Sequence, residues 1–281
     1  MQRVAVIGAG TMGHGIAQVC AAAGCEVRLT DARPEAVERG IAAVAANLAA
    51  GVAKGKVTAE DRDRALAGLA AADSVEAAVA GADLVIEAVF EDLALKQRLL
   101  RQAEDAAPVG AVLASNTSSL SIGRLSAALV RPERFLGMHF FNPVHLMALL
   151  ELVRGPSTDA GVLAEVQRFG ARIGKEVITV ADAPGFATSR LGVCLGMEAI
   201  RMVEQGVASA EDIDKAMVLG YRHPVGPLRL TDMVGLDVRM AIGAYLAETL
   251  GNPAFEPPAL MRDMVAAGKL GKKTGEGFYL W

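Results

Sequence analysis

Residues 3–17, RVAVIGAGTMGHGIA, join a short apolar run to a glycine-rich turn and then to helical spacing. The pattern GxGxxG occupies Gly8, Ala9, Gly10, Thr11, Met12 and Gly13. In this pattern the first glycine permits a tight turn, the second lets the backbone approach a pyrophosphate, and the third lets helix and strand pack closely. Amide groups at the start of the helix then bind the phosphates. The stretch therefore predicts a dinucleotide-binding βαβ unit.

An acidic residue stands where such a unit needs one. Asp31 follows Gly13 by 18 residues and ends the second apolar run. A carboxylate at this place accepts hydrogen bonds from the adenosine ribose and repels a 2′-phosphate, which predicts NAD rather than NADP. Arg33 weakens that preference slightly, although a solvated side chain ahead of Pro34 is the better interpretation of it. A purely structural turn with a strand-ending aspartate is the alternative.

The first two thirds of the chain alternate short apolar runs with helical spacing. The runs are RVAVIG (3–8), EVRLTD (26–31), DLVIEAV (83–89), AVLAS (111–115), RFLGMHFF (134–141), LLELV (149–153) and VITV (177–180). Between the second and third runs, the spacing of an amphipathic helix is shown by Val37, Ile41, Val44 and Leu48. This alternation predicts an α/β fold with a Rossmann-like, doubly wound, mainly parallel sheet. The runs at 134–141 and 149–153 are expected to pair antiparallel at its edge.

The character of the chain changes after Ala183. From Phe186 to Trp281 strand-like runs disappear, and helical segments are interrupted by proline and glycine, as in HPVGP (223–227) and GNP (251–253). We predict an NAD-binding domain over residues 1–183 and an all-helical domain over residues 184–281.

Composition and charge narrow the class of protein. The chain has a formal net charge of −4, which argues against a general nucleic-acid binder. Its three cysteines, Cys20, Cys25 and Cys194, form no CxxC pattern, so neither a disulfide framework nor a metal site is predicted. No uninterrupted apolar run reaches the roughly 20 residues of a membrane span, and the N-terminus does not resemble a secretory signal. A soluble cytoplasmic protein is expected.

Several polar residues directly follow predicted strands. Glu91 comes after the third run, SNTSS (115–119) after the fourth, and His139 and Asn142 lie at the end of the fifth. In an open α/β sheet, ligands bind outside the carboxyl ends of the strands, so these side chains are expected to converge. Each is ordinary alone, since serine and threonine after a strand usually form a turn or a helix cap.

A histidine and a carboxylate close together in sequence suggest alcohol oxidation. His139 and Glu151 lie in the apolar stretch MHFFNPVHLMALLELV (138–153). Oxidation of an alcohol requires a base for the hydroxyl proton, and histidine, ordinarily near pKa 6.5, is well suited when a carboxylate fixes its tautomer. Glu151 is a candidate partner, and Ser118 is a candidate for holding the substrate oxygen. His145 is the competing base, but it lies in a predicted loop without an obvious carboxylate partner.

Taken together, the motifs resemble those of the (S)-3-hydroxyacyl-CoA dehydrogenase family. The motifs are GAGTMGHGIA, ADLVIEAVFED, ASNTSSLSI, MHFFNPV, PGFATSR and GKKTGEGFY. They span nearly the whole chain and are most similar to the short bacterial members that act on 3-hydroxybutyryl-CoA. The resemblance implies reversible, NAD-dependent oxidation of a 3-hydroxyacyl-CoA to the 3-oxoacyl-CoA, as in fatty acid metabolism. It also implies a homodimer formed through the C-terminal helical domain.

The resemblance also implies roles for single residues. His139 matches the catalytic base, Glu151 its carboxylate partner, and Ser118 the serine that contacts the substrate oxygen. Cofactor contacts are implied for Glu91, Lys96, Asn142 and Lys273, and Asn142 is expected to contact substrate as well. Ser189 departs from the pattern, because the family motif PGFxxNR has an asparagine there that hydrogen-bonds the substrate. Serine has one donor and a shorter reach, so either Thr188 or a water compensates, or the substrate scope differs.

Alternatives remain open at several positions. Lys273 also fits a flexible solvated lysine, and Lys54 and Lys56 fit a polar helix end better than a site for CoA phosphates. Gulonate and carnitine dehydrogenases resemble this architecture and oxidise secondary alcohols without CoA. A non-catalytic NAD-binding protein of the crystallin type is a further alternative, against which the set Ser118, His139 and Glu151 argues, since NAD binding alone needs none of them. The sequence leaves acyl chain length and pathway undecided.

Overall fold

In the computed structural model, which describes residues 1–281, the chain forms two units, Met1–Ala183 and Pro184–Trp281. The first is built on a sheet and the second on helices. The prediction of a Rossmann-like sheet domain followed by a helical domain is confirmed.

An eight-stranded sheet forms the centre of the first unit, in the order β3-β2-β1-β4-β5-β6-β7-β8. The strands are β1 (Arg3–Ile7), β2 (Glu26–Thr30), β3 (Leu69–Ala71), β4 (Leu84–Glu87), β5 (Val112–Ser115), β6 (Phe135–Phe140), β7 (Leu149–Arg154) and β8 (Glu176–Ala181). All neighbours pair in parallel except β6 and β7, which are antiparallel. The expected antiparallel pair is therefore confirmed, but its predicted place at the edge of the sheet is wrong, because β8 pairs with β7 and forms that edge.

One strand has no counterpart in the sequence prediction. β3 contains only Leu69, Ala70 and Ala71, and it pairs with Val27–Leu29 at one edge of the sheet. Three residues of this composition carry neither the alternation nor the β-branched enrichment that identifies a strand, so the pairing depends on the neighbouring strand.

Seven helices belong to the first unit. They are α1 (Thr11–Ala22), α2 (Pro34–Ala53), α3 (Ala59–Ala67), α4 (Val75–Val79), α5 (Leu93–Ala106), α6 (Ile122–Ser126) and α7 (Ala160–Arg172). By length and composition α2 resembles a membrane span. Its residues Val37, Val44 and Leu48 are buried in the domain core, however, so one face of the helix packs against the domain as in an amphipathic helix.

The second unit contains five helices around a small core of its own. They are α8 (Thr188–Glu204), α9 (Ala210–Tyr221), α10 (Pro227–Val234), α11 (Leu236–Leu250) and α12 (Ala259–Ala266). Asp232, which is 1% exposed, accepts hydrogen bonds from the amides of Phe278 and Tyr279 and from the indole N–H of Trp281. These bonds fix the C-terminal segment onto α10.

Candidate active site

The glycine loop between β1 and α1 has the geometry that its sequence predicts. Gly8 has φ +103°, and a Cβ there would lie 2.6 Å from the carbonyl oxygen of Ala88. A Cβ at Gly13 would lie 1.7 Å from the carbonyl oxygen of Gly8, so only glycine allows α1 to start this close to the strand. A Cβ at Gly10 would meet nothing within 4 Å. The space before Gly10 and the first amides of α1 thus suits a pyrophosphate.

Asp31 is anchored beside this loop. Its carboxylate accepts the amide of Ala9 at 2.9 Å and the amide of Arg33 at 3.1 Å. The side chain of Arg33 is 66% exposed and lies 4.0 Å from the carboxylate, as expected of a solvated side chain. The carboxylate at the end of β2 therefore has a fixed position at which a ribose can be bound.

His139 and Glu151 face each other across the antiparallel pair of β6 and β7. The register places them directly opposite, and His139 Nδ1 lies 2.8 Å from Glu151 Oε2. His139 is 5% exposed and Glu151 is completely buried. With its proton on Nδ1, the imidazole donates to the carboxylate, and Nε2 is then the basic nitrogen. A separation of twelve residues in sequence thus becomes a direct contact.

The loop that carries Ser118 is organised by Glu91. One oxygen of this carboxylate, Oε1, accepts the hydroxyl of Thr117 at 2.5 Å and the amides of Ser118 and Ser119 at 2.9 and 3.0 Å. Burial opposes ionisation of Glu91, but the charge of Lys96 and these hydrogen bonds outweigh it, so the pKa of Glu91 lies below its ordinary value. Ser118 itself is exposed, so its hydroxyl is presented on a fixed backbone.

Beneath Glu91 lies a buried ion pair that includes Lys96. The Lys96 ammonium is 2.7 Å from Glu87 Oε1 and 3.3 Å from Glu91 Oε2, and the side chain of Lys96 is 1% exposed. Glu87 also accepts the hydroxyl of Ser115 at 2.6 Å and the amide of Val89 at 2.6 Å. The ammonium of Lys96 thus lies between these two carboxylates, and its predicted place near the nicotinamide half of the cofactor stays a prediction.

Sequence reasoning missed Glu87 and Asn116. Glu87 ends the otherwise apolar strand LVIE, and a carboxylate inside an apolar run is itself a signal, because a buried charge requires a partner. The Asn116 side-chain oxygen accepts the amide of Phe140 at 2.9 Å. This bond ties the loop of Ser118 to the strand of His139, so β4, β5 and β6 deliver their polar groups to one edge of the sheet.

The loop after β6 contains the remaining candidates of the first unit. Asn142 and His145 are both exposed. Partial burial and the positive charges of Lys175 and His14 lower the pKa of His145, which disfavours its protonated form. The contacts of His145 include no carboxylate, in contrast to those of His139.

Two candidates belong to the second unit. Lys273 donates to both carboxylate oxygens of Asp237, each at 2.6 Å, in the first turn of α11. Ser189 is the second residue of α8 and is partly exposed. The cofactor contact implied for Lys273 and the substrate contact implied for Ser189 stay predictions. No group of three or more potential metal ligands occurs in either unit.

Comparison with known proteins identifies the family. Residues 3–183 match the model of the 3-hydroxyacyl-CoA dehydrogenase NAD-binding domain, and residues 185–281 match that of its C-terminal domain. The 3-hydroxybutyryl-CoA dehydrogenase of Mycobacterium tuberculosis is 44% identical over 100% of this chain and 99% of its own length. The mitochondrial hydroxyacyl-coenzyme A dehydrogenase of Sus scrofa is 40% identical over 99% of this chain and 91% of its own length.

Solved structures agree with the sequence matches. The (S)-3-hydroxybutyryl-CoA dehydrogenase of Ralstonia eutropha has a TM-score of 0.96 and 44% identity, and the match covers 100% of this chain and 99% of that one. The NAD-binding family model over residues 3–183, together with the glycine loop, identifies NAD as the cofactor. The chain therefore belongs to the 3-hydroxyacyl-CoA dehydrogenase family, with an NAD-binding domain followed by the family's C-terminal domain.

Proposed function

We propose that this protein catalyses the reversible, NAD-dependent oxidation of short (S)-3-hydroxyacyl-CoA thioesters, with 3-hydroxybutyryl-CoA as the substrate. The observation that carries the proposal is the buried pair of His139 and Glu151, with 2.8 Å between Nδ1 and Oε2. A protein that only binds NAD has no need of such a pair. Full-length relatives that are 41–44% identical and named as 3-hydroxybutyryl-CoA dehydrogenases support the choice of substrate.

His139 is the base in this proposal. Nε2 takes the proton of the 3-hydroxyl group as the hydride leaves the same carbon, and it returns the proton in the reductive direction. NAD supplies the hydride acceptor. Glu151 accepts the N–H of Nδ1, which fixes the tautomer and stabilises the imidazolium that forms. Because Glu151 is completely buried, little water screens its charge from the ring.

Ser118 holds the substrate oxygen. A hydroxyl group both donates and accepts, so it suits the alcohol as well as the carbonyl that replaces it. Glu91 is the support of this residue, since it binds the amides of Ser118 and Ser119. Glu91 and Asn142 are further expected to contact the cofactor, and Lys96 acts through Glu91.

A cavity of the first unit supports recognition of the CoA nucleotide. It has a volume of about 550 Å³ and lies between α1, α2 and the loop after β6. Its basic lining residues are Lys54, Lys56, His145 and Arg172. Two lysines and an arginine beside an apolar wall fit a phosphorylated nucleotide better than a free sugar acid or carnitine. We infer that Lys54 and Lys56 bind CoA phosphates here.

A truncated substrate tests this cavity. Lys54→Ala/Lys56→Ala is expected to raise KM for acetoacetyl-CoA about tenfold, the effect of one or two charged hydrogen bonds. The same variant should leave KM unchanged for acetoacetyl-pantetheine, which lacks the nucleotide. Lys215→Ala, on the exposed face of α9, is the control. Equal losses on both substrates would contradict a nucleotide site.

A substrate panel tests the function itself. Acetoacetyl-CoA with NADH, and gulonate or carnitine with NAD, are compared by NADH absorbance. We expect turnover of the CoA thioester and little of the other two. Turnover of gulonate or carnitine alone would overturn the proposal, and NADH binding without any turnover would favour a non-catalytic protein.

A cytoplasmic homodimer is part of the same proposal. Large apolar side chains are exposed on the second unit, among them Leu191, Leu219, Tyr221 and Val238. Exposed apolar side chains in such number favour an interface over solvent. Light scattering after size-exclusion chromatography is expected to give twice the chain mass, and Leu219→Asp should shift the protein towards the monomer. A monomeric wild type would rule out the dimer.

A further inference from the structure

Lys175 is a buried cation that the proposed reaction does not use. It lies in the turn between α7 and β8 and is 8% exposed. Its ammonium donates to the carbonyl oxygens of Val144 at 2.5 Å and Met147 at 2.7 Å. Burial lowers the pKa of this ammonium. Carbonyl groups compensate a buried charge less well than a carboxylate does, so an apolar side chain would be the cheaper occupant if packing were the only requirement.

Both carbonyls belong to one loop, residues 141–148, which joins His139 on β6 to Glu151 on β7. The amides of Leu146 and Met147 both donate to the carbonyl oxygen of Pro143, which makes a single tight turn. The amide of Glu176 donates to the carbonyl oxygen of Ala148 at 2.8 Å. The loop is thus tied to the turn of Lys175 at three carbonyl groups.

The opposite side of the loop contacts the helix that begins at the glycine loop. Val144 is 2% exposed, and a Cβ placed on Gly15 of α1 would lie 2.9 Å from the Val144 Cβ. Val144 is therefore packed against α1 while its carbonyl group is held by Lys175. The two contacts hold the loop at Val144, which is two residues after Asn142.

We propose that Lys175 is a positioning residue: its ammonium holds the loop 141–148 so that Asn142 is fixed where it binds substrate or cofactor. The inference rests on the proposed function, because the ligand contact of Asn142 is part of that function. Lys175 acts through main-chain carbonyl groups and touches none of the reacting atoms.

A double-mutant cycle tests the coupling. Lys175→Met and Asn142→Ala are each expected to raise KM for acetoacetyl-CoA or NADH about tenfold, the scale of one lost hydrogen bond. The change in kcat should be roughly threefold or less, since proton transfer at His139 is untouched. The double variant should be no worse than Asn142→Ala alone. Lys175→Arg, which can still donate to two carbonyl groups, should recover much of the loss. If the two substitutions act independently, so that their fold-changes in KM multiply in the double variant, the proposal is wrong.

A second readout does not depend on turnover. Amide hydrogen exchange of residues 141–148, measured without ligands, is expected to accelerate in Lys175→Met. Val166→Ala removes a fully buried α7 side chain and serves as a control of reduced stability. If Val166→Ala raises KM to the same extent, or if exchange in the loop is unchanged in Lys175→Met, the inference is wrong. If the wild type does not reduce acetoacetyl-CoA, the proposed function fails, while loop exchange and NADH affinity still decide the role of Lys175.

Discussion

Two buried polar pairs in the first unit differ in the kind of charge that they hold. His139 and Glu151 meet across antiparallel strands, and one member is a histidine, a side chain that commonly serves as a general acid or base. Glu87 and Lys96 meet between β4 and α5 as a carboxylate and an ammonium group 2.7 Å apart. In the proposed mechanism the first pair moves a proton, whereas the second pair lies beneath the loop that carries Ser118. Burial alone therefore does not identify a catalytic group.

The hydrogen bonds around Glu87 and Lys96 support this distinction. The carboxylate of Glu87 accepts hydrogen bonds from the ammonium of Lys96, the hydroxyl of Ser115 and the main-chain amide of Val89. These three bonds occupy both of its oxygens. Its partner Lys96 also reaches Glu91, and through Glu91 the loop of Ser118. The pair of Glu87 and Lys96 thus supports the loop of Ser118, which is a different role from acid–base chemistry.

The largest expected effect is on kcat, when His139 of the first pair is replaced. His139→Gln should lower kcat by roughly 100- to 10,000-fold, because a general base is lost while the ring's volume is largely kept. NADH affinity and Tm should change little, because the substituted side chain lies on β6, whereas the glycine loop and Asp31 follow β1 and β2. Near-wild-type turnover in His139→Gln would remove this residue from the mechanism.

Substitution in the pair of Glu87 and Lys96 should lower the free energy of unfolding more than it lowers activity. Lys96→Met leaves Glu87 buried without its cation, at a cost of about 3–5 kcal/mol of unfolding free energy. The double variant Glu87→Gln/Lys96→Met removes both charges and should recover a large part of that cost. Urea denaturation measures each difference. If the double variant were as unstable as Lys96→Met, the ion pair would not be the source of the loss.

Replacing Glu151, the carboxylate of the first pair, should affect activity more than stability, in contrast to substitution of Lys96. Glu151→Gln keeps the shape but no longer stabilises the imidazolium, so kcat should fall by about 100-fold with a smaller change in stability. The pH dependence of kcat should shift, which a merely structural role would not produce. An unchanged pH profile with full kcat would show that Glu151 does not act on His139.

The smallest expected effect concerns Glu91 and pH. Its pKa is lowered in the folded state, so its contribution to stability is present above the ordinary value of 4.5 and disappears as pH falls through the lowered value. Because its side chain is 37% exposed, the effect on Tm should be on the order of 1–2 °C. Comparing Glu91→Gln with wild type by thermal unfolding at pH 7 and pH 4 checks the sign. The variant should lose less stability than the wild type on acidification.

Much of the architecture is readable from local patterns. The short apolar runs correspond to seven of the eight strands, since β3 alone lacks a readable pattern. The glycine loop is equally local, because the positive φ of Gly8 and the close approach at Gly13 follow from the missing Cβ. The change of character after Ala183 coincides with the point at which the two units meet in the chain.

The site depends on contacts between residues that are distant in sequence. The partners of Lys96 were not readable, since helical spacing on α5 does not say which carboxylate lies at the end of the neighbouring strand. The hydrogen bonds from Lys175 to the loop carbonyls could not be predicted either, because every residue has a main-chain carbonyl group and the sequence does not show which one is the acceptor. Ser118 was recognisable as a polar residue after a strand, but its support by Glu91 was not.

The sequence by itself determined the fold class, the cofactor loop and the candidates His139 and Glu151, because apolar periodicity and glycine conformation are local properties. Only the tertiary structure decided that these two side chains meet, since a shift of one residue in the register of β6 on β7 would put them on opposite faces of the sheet. It also decided that Lys96 and Lys175 are buried. Strand register and the direction of a buried side chain depend on the packing of the whole sheet, which no short stretch of sequence contains.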